Sequence, residues 1–159
     1  MKIGVISDTH LYVPSKELYA LMDGIFSDVS MVLHAGDFTG IDILDAFTAT
    51  RLFAVSGNMD SYDVTEMFPV KRVVEVKGLR IGLIHGFGFY GNIEDGIRNS
   101  FSDVDAIVYG HTHKPANHVK DGVLMFNPGA FSGSSSAKAG RSVGILTIDK
   151  GITGKIINL

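Results

Sequence analysis

The 159-residue sequence contains no cysteine, which excludes disulfide bridges and thiolate zinc sites and is typical of a reducing compartment. Any metal must therefore bind through oxygen and nitrogen. The sequence also lacks any apolar run whose length approaches the roughly 20 residues needed to span a bilayer. Met1 leads almost directly into a strand-like segment, 3–6, without the apolar stretch of a secretory signal. We expect a cytoplasmic protein with no membrane contact.

Charge of either sign is also modest: 19% of residues are charged and the net charge is −3, against 45% hydrophobic residues. This balance gives no electrostatic reason for nucleic-acid binding and predicts a globular chain. The length suits one domain, and we find no internal repeat, charge block or proline-rich linker. We therefore expect a single domain over 1–159, with homo-oligomer formation left open.

The order of apolar segments predicts the fold class. The first half alternates buried strands with amphipathic helices, which predicts a parallel βαβαβ unit: 3–6, 15–26, 31–34, 41–48 and 52–55. The second half adds a helix over 93–101 and a strand over 106–109 to three hairpins: 71–76 with 79–84, 116–119 with 123–126, and 143–149 with 152–157. The class is α/β, with two packed mixed β-sheets flanked by helices.

Two short pairs of polar residues follow predicted strands. Asp8 and His10 follow the first strand, and His111 and His113 follow the strand at 106–109. Residues two apart in an extended chain point to the same side, so each pair can reach one point while the threonines between them turn away. Strand ends of this kind commonly carry the ligands of α/β folds. Both pairs suit metal binding.

Further strand-end turns carry polar groups of the same kind. If the sheets align these turns, seven oxygen and nitrogen ligands converge, which is too many for one zinc and natural for two divalent ions: Asp8, His10, Asp37, Asn58, His85, His111 and His113. Asp37 is the expected bridge. Two carboxylates against two divalent ions leave a surplus of about two positive charges, which favours an anionic substrate. Two such ions can activate a water between them and clamp the oxygens of an in-line phosphoryl displacement.

The ordered series Asp-x-His, Gly-Asp, Gly-Asn-x-Asp, His-Gly and Gly-His-x-His resembles the calcineurin-like metallophosphoesterase superfamily, and in particular its small bacterial and archaeal phosphodiesterase branch. The similarity runs from residue 2 to about residue 146. The resemblance implies a four-layer αββα sandwich. It also implies one metal held by Asp8, His10 and His113 and a second held by Asn58, His85 and His111, with Asp37 between them.

The resemblance implies a hydrolase of phosphoric esters, most simply a phosphodiesterase that uses a hydroxide bridging two metals and acts on a small phosphoester. Asp37 and Asn58 are then the catalytic residues, Asp37 positioning the nucleophile and Asn58 helping to orient phosphate. The expected cofactors are two divalent ions, Mn²⁺ first, with Fe²⁺, Zn²⁺, Ni²⁺ and Mg²⁺ as alternatives. The alternative from another class is a non-catalytic metal-binding scaffold resembling the small retromer subunit.

Two departures from the family pattern bear on catalysis. Met59 stands where many members carry a histidine that protonates the leaving group, and a thioether cannot transfer a proton. Protonation must come from elsewhere, or the substrates must have good leaving groups. The Asn-Pro-Gly-Ser turn of the branch ends here in Ala130.

Three polar residues outside the ligand set have ordinary structural explanations. His34 is expected to be a buried, hydrogen-bonded imidazole, with support of a ligand loop as the alternative role. His118 is expected to be a surface residue of a hairpin. Asp60 suits two roles equally, a turn cap or a residue that orients a supporting group.

Two loops remain as candidates for substrate contact. Residues 86–91 match the dinucleotide-binding pattern G-x-G-x-x-G, but the next strand ends in Gly110 and His111 where a ribose-binding acid belongs. The aromatic side chains of this loop instead suggest a wall that stacks on a base or aryl group, with core anchoring as the alternative: Phe87, Phe89 and Tyr90. The small, polar segment between residues 129 and 142 is either a connector or a loop whose Lys138 or Arg141 meets phosphate.

Overall fold

The computed structural model describes residues 1–133 and 140–159. Its strands are β1 (Lys2–Ile6), β2 (Val32–His34), β3 (Leu52–Ala54), β4 (Lys71–Val76), β5 (Leu79–Ile84), β6 (Ala106–Val108), β7 (Ala116–Lys120), β8 (Val123–Asn127), β9 (Ser142–Ile148) and β10 (Ile152–Asn158). Its helices are α1 (Lys16–Asp23), a 3₁₀ helix (Ile41–Phe47), α2 (Tyr62–Met67) and α3 (Ile93–Asn99). Lys138, a predicted phosphate contact, lies outside the described residues.

The strands form two mixed five-stranded sheets. The first has the order β10-β9-β1-β2-β3, in which β1, β2 and β3 are parallel and the C-terminal hairpin is antiparallel. The second has the order β4-β5-β6-β8-β7, in which β5, β6 and β8 are parallel. This arrangement confirms the predicted α/β class with two mixed sheets.

Three apolar clusters give the molecule four layers. The largest joins the facing sides of the two sheets, with Ile3 and Val5 of β1 packed in one cluster with Ile81 and Leu83 of β5. The outer face of the first sheet packs against α1, the 3₁₀ helix and α2. The outer face of the second packs against α3 through Ile97. Two sheets with helices outside each are the αββα sandwich that the resemblance implies.

Several predicted boundaries are corrected. The helix predicted over 15–26 is shorter, because Ser15 caps it by accepting the Leu18 N–H at 3.2 Å and it ends before Gly24. The helix predicted over 41–48 is a 3₁₀ helix. The short α2 was not predicted, since its six residues are too few to show a helical period and it buries Val64.

The predicted hairpins are present. Lys77–Gly78 and Asp121–Gly122 both have positive φ at both positions, as a two-residue turn of type I′ requires.

Within the described ranges, no helix has the length and hydropathy needed to cross a membrane.

Candidate metal centre

The predicted ligands lie in the turns that follow β1, β2, β3, β5 and β6, at one edge of the two sheets. Backbone hydrogen bonds join the turns after these strands: the Asp8 N–H donates to Gly36, the His10 N–H to Asp37, and the Gly110 N–H to His85, each at 3.0 Å. The first two bonds link the turns of the first sheet, and the third links the turns of the second. The strand ends therefore converge by hydrogen bonding as well as by packing.

The backbone at these turns is left-handed at five of the seven predicted ligands, with φ between 49° and 64°: Asp8, His10, Asp37, His111 and His113. The prediction that each pair projects from extended chain was therefore wrong, since the left-handed turns themselves aim the side chains. Left-handed non-glycine residues cost about 1–3 kcal/mol each and concentrate at functional sites. Five left-handed residues at one site indicate that the backbone is strained in order to place these side chains.

The side chains form two overlapping groups with metal-ligand spacing, in each of which the ligand atoms all lie within 4.8 Å of one another. The first contains Asp8, His10 and His113, and the second contains Asp8, Asp37 and His85. Asp37 Oδ2 also lies 3.3 Å from His85 Nε2 and 3.9 Å from His10 Nε2, so this carboxylate stands between the two groups.

The chemistry of these donors fits cations. His85 donates its Nδ1–H to the Ala35 carbonyl at 2.8 Å, which directs Nε2 towards Asp37 as metal-bound histidines usually are. His85 Nε2 and Asp8 Oδ1 are buried without a hydrogen-bond partner in the described structure, although His113 Nε2 lies 3.1 Å from that oxygen. Buried polar atoms are costly without a partner. Both atoms would be satisfied by a bound cation.

The pKa values of the site also favour a cation. Burial is the largest influence on the pKa of Asp37 and tends to raise it, but His85, the Met59 N–H and His10 together lower it. Burial tends to lower the pKa of His85, but the carboxylates of Asp37 and Asp8 have the larger effect, and the pKa is raised. The two carboxylates thus favour positive charge at His85, and a cation bound there would compete with a proton for the ring.

The pKa values of two more histidines of the site, His111 and His113, are shifted in opposite directions. The Asp8 carboxylate raises the pKa of His113, whereas burial and the nearby His85 lower the pKa of His111. The His111 ring stands edge-on to the His85 ring with centroids 5.1 Å apart, and its backbone N–H donates to Asp8 Oδ2 at 3.1 Å. His111 therefore lies with the second group.

The remaining predicted ligand is at the rim. Asn58 is exposed beside Met59, whose N–H donates to Asp37 Oδ1 at 2.8 Å. The Met59 side chain is 58% exposed, so this position faces solvent. The turn is held close to Asp37 because Gly57 has no side chain: a Cβ there would overlap Asp37 Oδ1 and lie 2.6 Å from the Asp37 nitrogen.

Asp60 holds the Asp37 turn to the Asn58 turn. Its carboxylate accepts the N–H of Gly57 at 2.7 Å, of Thr39 at 2.9 Å and of Asp37 at 3.2 Å. Of the two predicted roles, the turn cap is confirmed, and the cap extends across two turns. Sequence alone could not reveal this span because Thr39 and Asp60 are 21 residues apart.

His34 forms the buried, hydrogen-bonded imidazole that was predicted. Its Nδ1 accepts the Gly36 N–H at 3.2 Å, so Nε2 carries the proton and faces Thr9 Oγ1 at 3.1 Å. The threonine hydroxyl then donates to the Asp37 carbonyl at 3.3 Å. The ring stacks on Phe38 with centroids 3.5 Å apart, and burial lowers the pKa of His34 well below its usual value. This chain fixes the backbone of the Asp37 turn.

Two further residues support the site: Ser7, which was not singled out from the sequence, and Asn127, which was noted only as the first residue of the Asn-Pro-Gly turn. The buried Ser7 hydroxyl donates to Asp8 Oδ2 at 2.6 Å. Asn127 donates to the Gly110 carbonyl at 2.8 Å and to Thr112 Oγ1 at 3.1 Å, so it holds the His-x-His turn. The signal for Ser7 was its position at a predicted strand end, and the signal for Asn127 was the turn motif that it begins.

The predicted substrate-loop residues differ in placement. The Phe87 ring centroid lies 6.4 Å from that of His85 and the residue is 45% exposed. Phe89 is partly buried against the α3 cluster, which supports the core-anchor alternative, and Tyr90 is 98% exposed.

The Arg141 Nε–H donates to the Phe131 carbonyl at 2.8 Å and its guanidinium lies over the Phe131 ring. Its contact with phosphate stays a prediction.

His118 is a surface residue, as predicted: its side chain is 45% exposed and its Nε2 lies 3.2 Å from Glu94 Oε2. The glycine-rich loop 86–91 follows β5 and precedes α3, and its glycines have positive φ at residues 86, 88 and 91. They shape a tight turn that carries the two phenylalanines.

Comparison with known proteins gives a consistent result. The profile of the calcineurin-like phosphoesterase superfamily domain matches residues 1–151. A protein named "Probable metallophosphoesterase" from Methanocaldococcus jannaschii is 37% identical over 82% of this chain and 68% of its own length. A protein of the same archaeon, named as a phosphodiesterase, is 30% identical over 94% of this chain and 95% of its own.

Among solved structures, Vacuolar Protein Sorting 29 from Cryptosporidium parvum superposes with a TM-score of 0.80 at 26% identity, covering 99% of this chain and 91% of its own. The two sheets, the convergent strand-end ligands and the family profile agree. The chain belongs to the calcineurin-like phosphoesterase superfamily.

Proposed function

We propose that the protein is a metal-dependent phosphodiesterase that works with two divalent ions, Mn²⁺ being the first candidate. The observation that carries the proposal is the pair of overlapping ligand groups, which share Asp8 and have Asp37 between them. The phosphodiesterase relative, similar over nearly the whole of both chains, supports the same activity.

The ligand assignment is the one that the family resemblance implies; the first observed group matches its first ion, and the second observed group contributes Asp37 and His85. Asp8, His10 and His113 would hold one ion, and His85, His111 and Asn58 the other, with Asp37 shared. When bound, two such ions activate water and neutralise charge on the oxygens of a transferring phosphoryl group. The donors are oxygen and nitrogen atoms, which suit hard and borderline divalent ions.

The protein's own groups have separate tasks in this reaction. Asp37 is fixed by the Met59 N–H at one oxygen and faces His85 and His10 with the other, so its carboxylate cannot swing away from the centre. The exposed Asn58 stands at the open side, where phosphate would enter and where its amide can donate to a phosphate oxygen. Preorganised groups of this kind lower the barrier without reorganising during the reaction.

Leaving-group chemistry narrows the substrate. The exposed Met59 cannot protonate a departing alkoxide, so esters of acidic alcohols such as phenols should react fastest.

The scaffold alternative gains some support from the fold of the Vacuolar Protein Sorting 29 structure. A metal-binding scaffold would use the same ligands, so it is the phosphodiesterase relative that favours the enzyme.

The test is hydrolysis of bis(4-nitrophenyl) phosphate by the Mn²⁺-loaded protein. We expect release of 4-nitrophenolate that stops on exhaustive chelation and returns with Mn²⁺. Asp37→Asn should lower kcat by at least about a hundredfold, while the control His118→Asn, at the surface of β7, should leave it unchanged. Activity that survives chelation or survives Asp37→Asn would contradict the proposal.

A further inference from the structure

The geometry points to an apolar subsite beside the metal centre that receives an aromatic ester group of the substrate. This inference rests on the proposed phosphodiesterase function and names the class of substrate. The subsite is a cavity of about 210 Å³. Its wall combines the start of β4, the end of β5 and the loop after it: Val70, Lys71, Ile84, His85, Phe87 and Phe89.

The cavity adjoins the centre through a shared residue. His85 lines the cavity and also belongs to the second ligand group, with its Nε2 3.3 Å from Asp37 Oδ2. The Phe87 ring lies beside the His85 ring, with centroids 6.4 Å apart. A phosphoester bound at the metals would bury an apolar ester group only if that group were directed at this cavity.

The loop that forms the wall is held in place. Gly86 and Gly88 have φ of 105° and 85°, values that side chains rarely adopt. Phe89 packs so closely on α3 that a Cβ added to Gly96 would come within 2.7 Å of its ring. Because Phe89 anchors the loop, Phe87 is presented at the cavity without an ordering cost on binding.

The lining chemistry selects an aromatic group. Val70, Ile84 and the two phenylalanines offer apolar surface, and the Lys71 ammonium donates to the Ser100 carbonyl at 3.2 Å. An engineered apolar cavity of about 150 Å³ accepts benzene, so the volume here suits one aromatic ring. Phenols are also the leaving groups that need no proton from a residue at position 59, so the cavity and Met59 select the same substrates.

The experiment measures binding rather than turnover. Phenylphosphonate and methylphosphonate present the same anion to the centre and differ in the ring alone. Calorimetric titration of the Mn²⁺-loaded full chain should give a dissociation constant at least about tenfold lower for phenylphosphonate. Phe87→Ala and Val70→Ser, both at exposed positions, should each reduce that preference to about threefold or less and leave methylphosphonate binding unchanged.

Val119→Ala is the matched control, since Val119 is an exposed apolar residue on β7 outside the cavity lining, and it should keep the full preference. Equal binding of the two phosphonates to the wild-type protein, or a preference that both cavity variants retain, overturns the subsite while the proposed function stands. If neither compound binds and diesters are not hydrolysed, the proposed function is overturned and the subsite with it.

Discussion

Replacing Asp60 with alanine removes the carboxylate that joins the Asp37 turn to the Asn58 turn. Three backbone N–H groups lose their acceptor, at 2.7, 2.9 and 3.2 Å. A hydrogen bond to a charged group contributes about 1.5–3 kcal/mol, and Asp60 is half-buried, so water replaces part of the loss. We expect unfolding free energy to fall by about 3 kcal/mol, which for a chain of this size lowers Tm by about 6–12 °C.

The assay is urea unfolding with chelator present, so that metal binding does not contribute. Asp60→Asn keeps one acceptor oxygen but turns an amide N–H₂ towards at least one backbone donor, so it should fall between wild type and alanine. Glu66→Ala, at an exposed position of the adjacent α2, is the control and should change stability by no more than about 0.5 kcal/mol.

Asp60→Ala should also weaken Mn²⁺ binding by about ten- to hundredfold, because residues that support metal ligands typically have effects of this size. Calorimetric titration with Mn²⁺ measures this separately from stability. An alanine variant as stable as wild type, with unchanged Mn²⁺ affinity, would refute the role assigned to Asp60.

Three further outcomes are expected. Gly110→Ala should abolish Mn²⁺ binding in titration, because a Cβ there would overlap Ser7 Oγ and lie 2.7 Å from Asp8 Oδ2, whereas binding at wild-type strength would contradict that packing. Since the pKa of His34 is lowered on folding, the unfolded chain takes up a proton below about pH 6.5 that the native protein does not, and stability falls by up to about 1.4 kcal/mol per pH unit. His34→Gln should remove that contribution, and an unchanged pH slope in urea titrations would refute it. Saturating Mn²⁺ at a hundred times its Kd should raise stability by about 2.7 kcal/mol in the same assay, and no rise would contradict metal binding by the folded state.

The strands and their sheets were predictable because most of them are short apolar runs bounded by turn residues. The Asp-Gly turn at 121–122 and the Lys-Gly turn at 77–78 each join two apolar runs, so they predict two of the hairpins. The change from alternating helices to hairpins along the chain predicted two mixed sheets, whereas the antiparallel pairing of β9 with β1, which adds the last hairpin to the first sheet, was not predicted. The 3₁₀ helix and α2 were harder, because short helices obtain their stability from packing and not from a periodic pattern.

The candidate centre was predictable in composition and not in geometry. Motif order identified residues that the fold brings together, such as Asp8, Asp37 and His85. The left-handed turns that aim them depend on contacts between distant segments, and extended chain was the wrong basis for the prediction. The separate fates of Phe87 and Phe89 depend on packing against α3, which sequence spacing does not encode.

The central claim is that two cations share Asp37. Anomalous diffraction from crystals of the protein grown with Mn²⁺ tests it most directly. We expect two peaks about 3.5–4 Å apart, one beside Asp8, His10 and His113 and the other beside His85, with the Asp37 carboxylate between them. A single peak, or two peaks of which only one contacts Asp37, would contradict it.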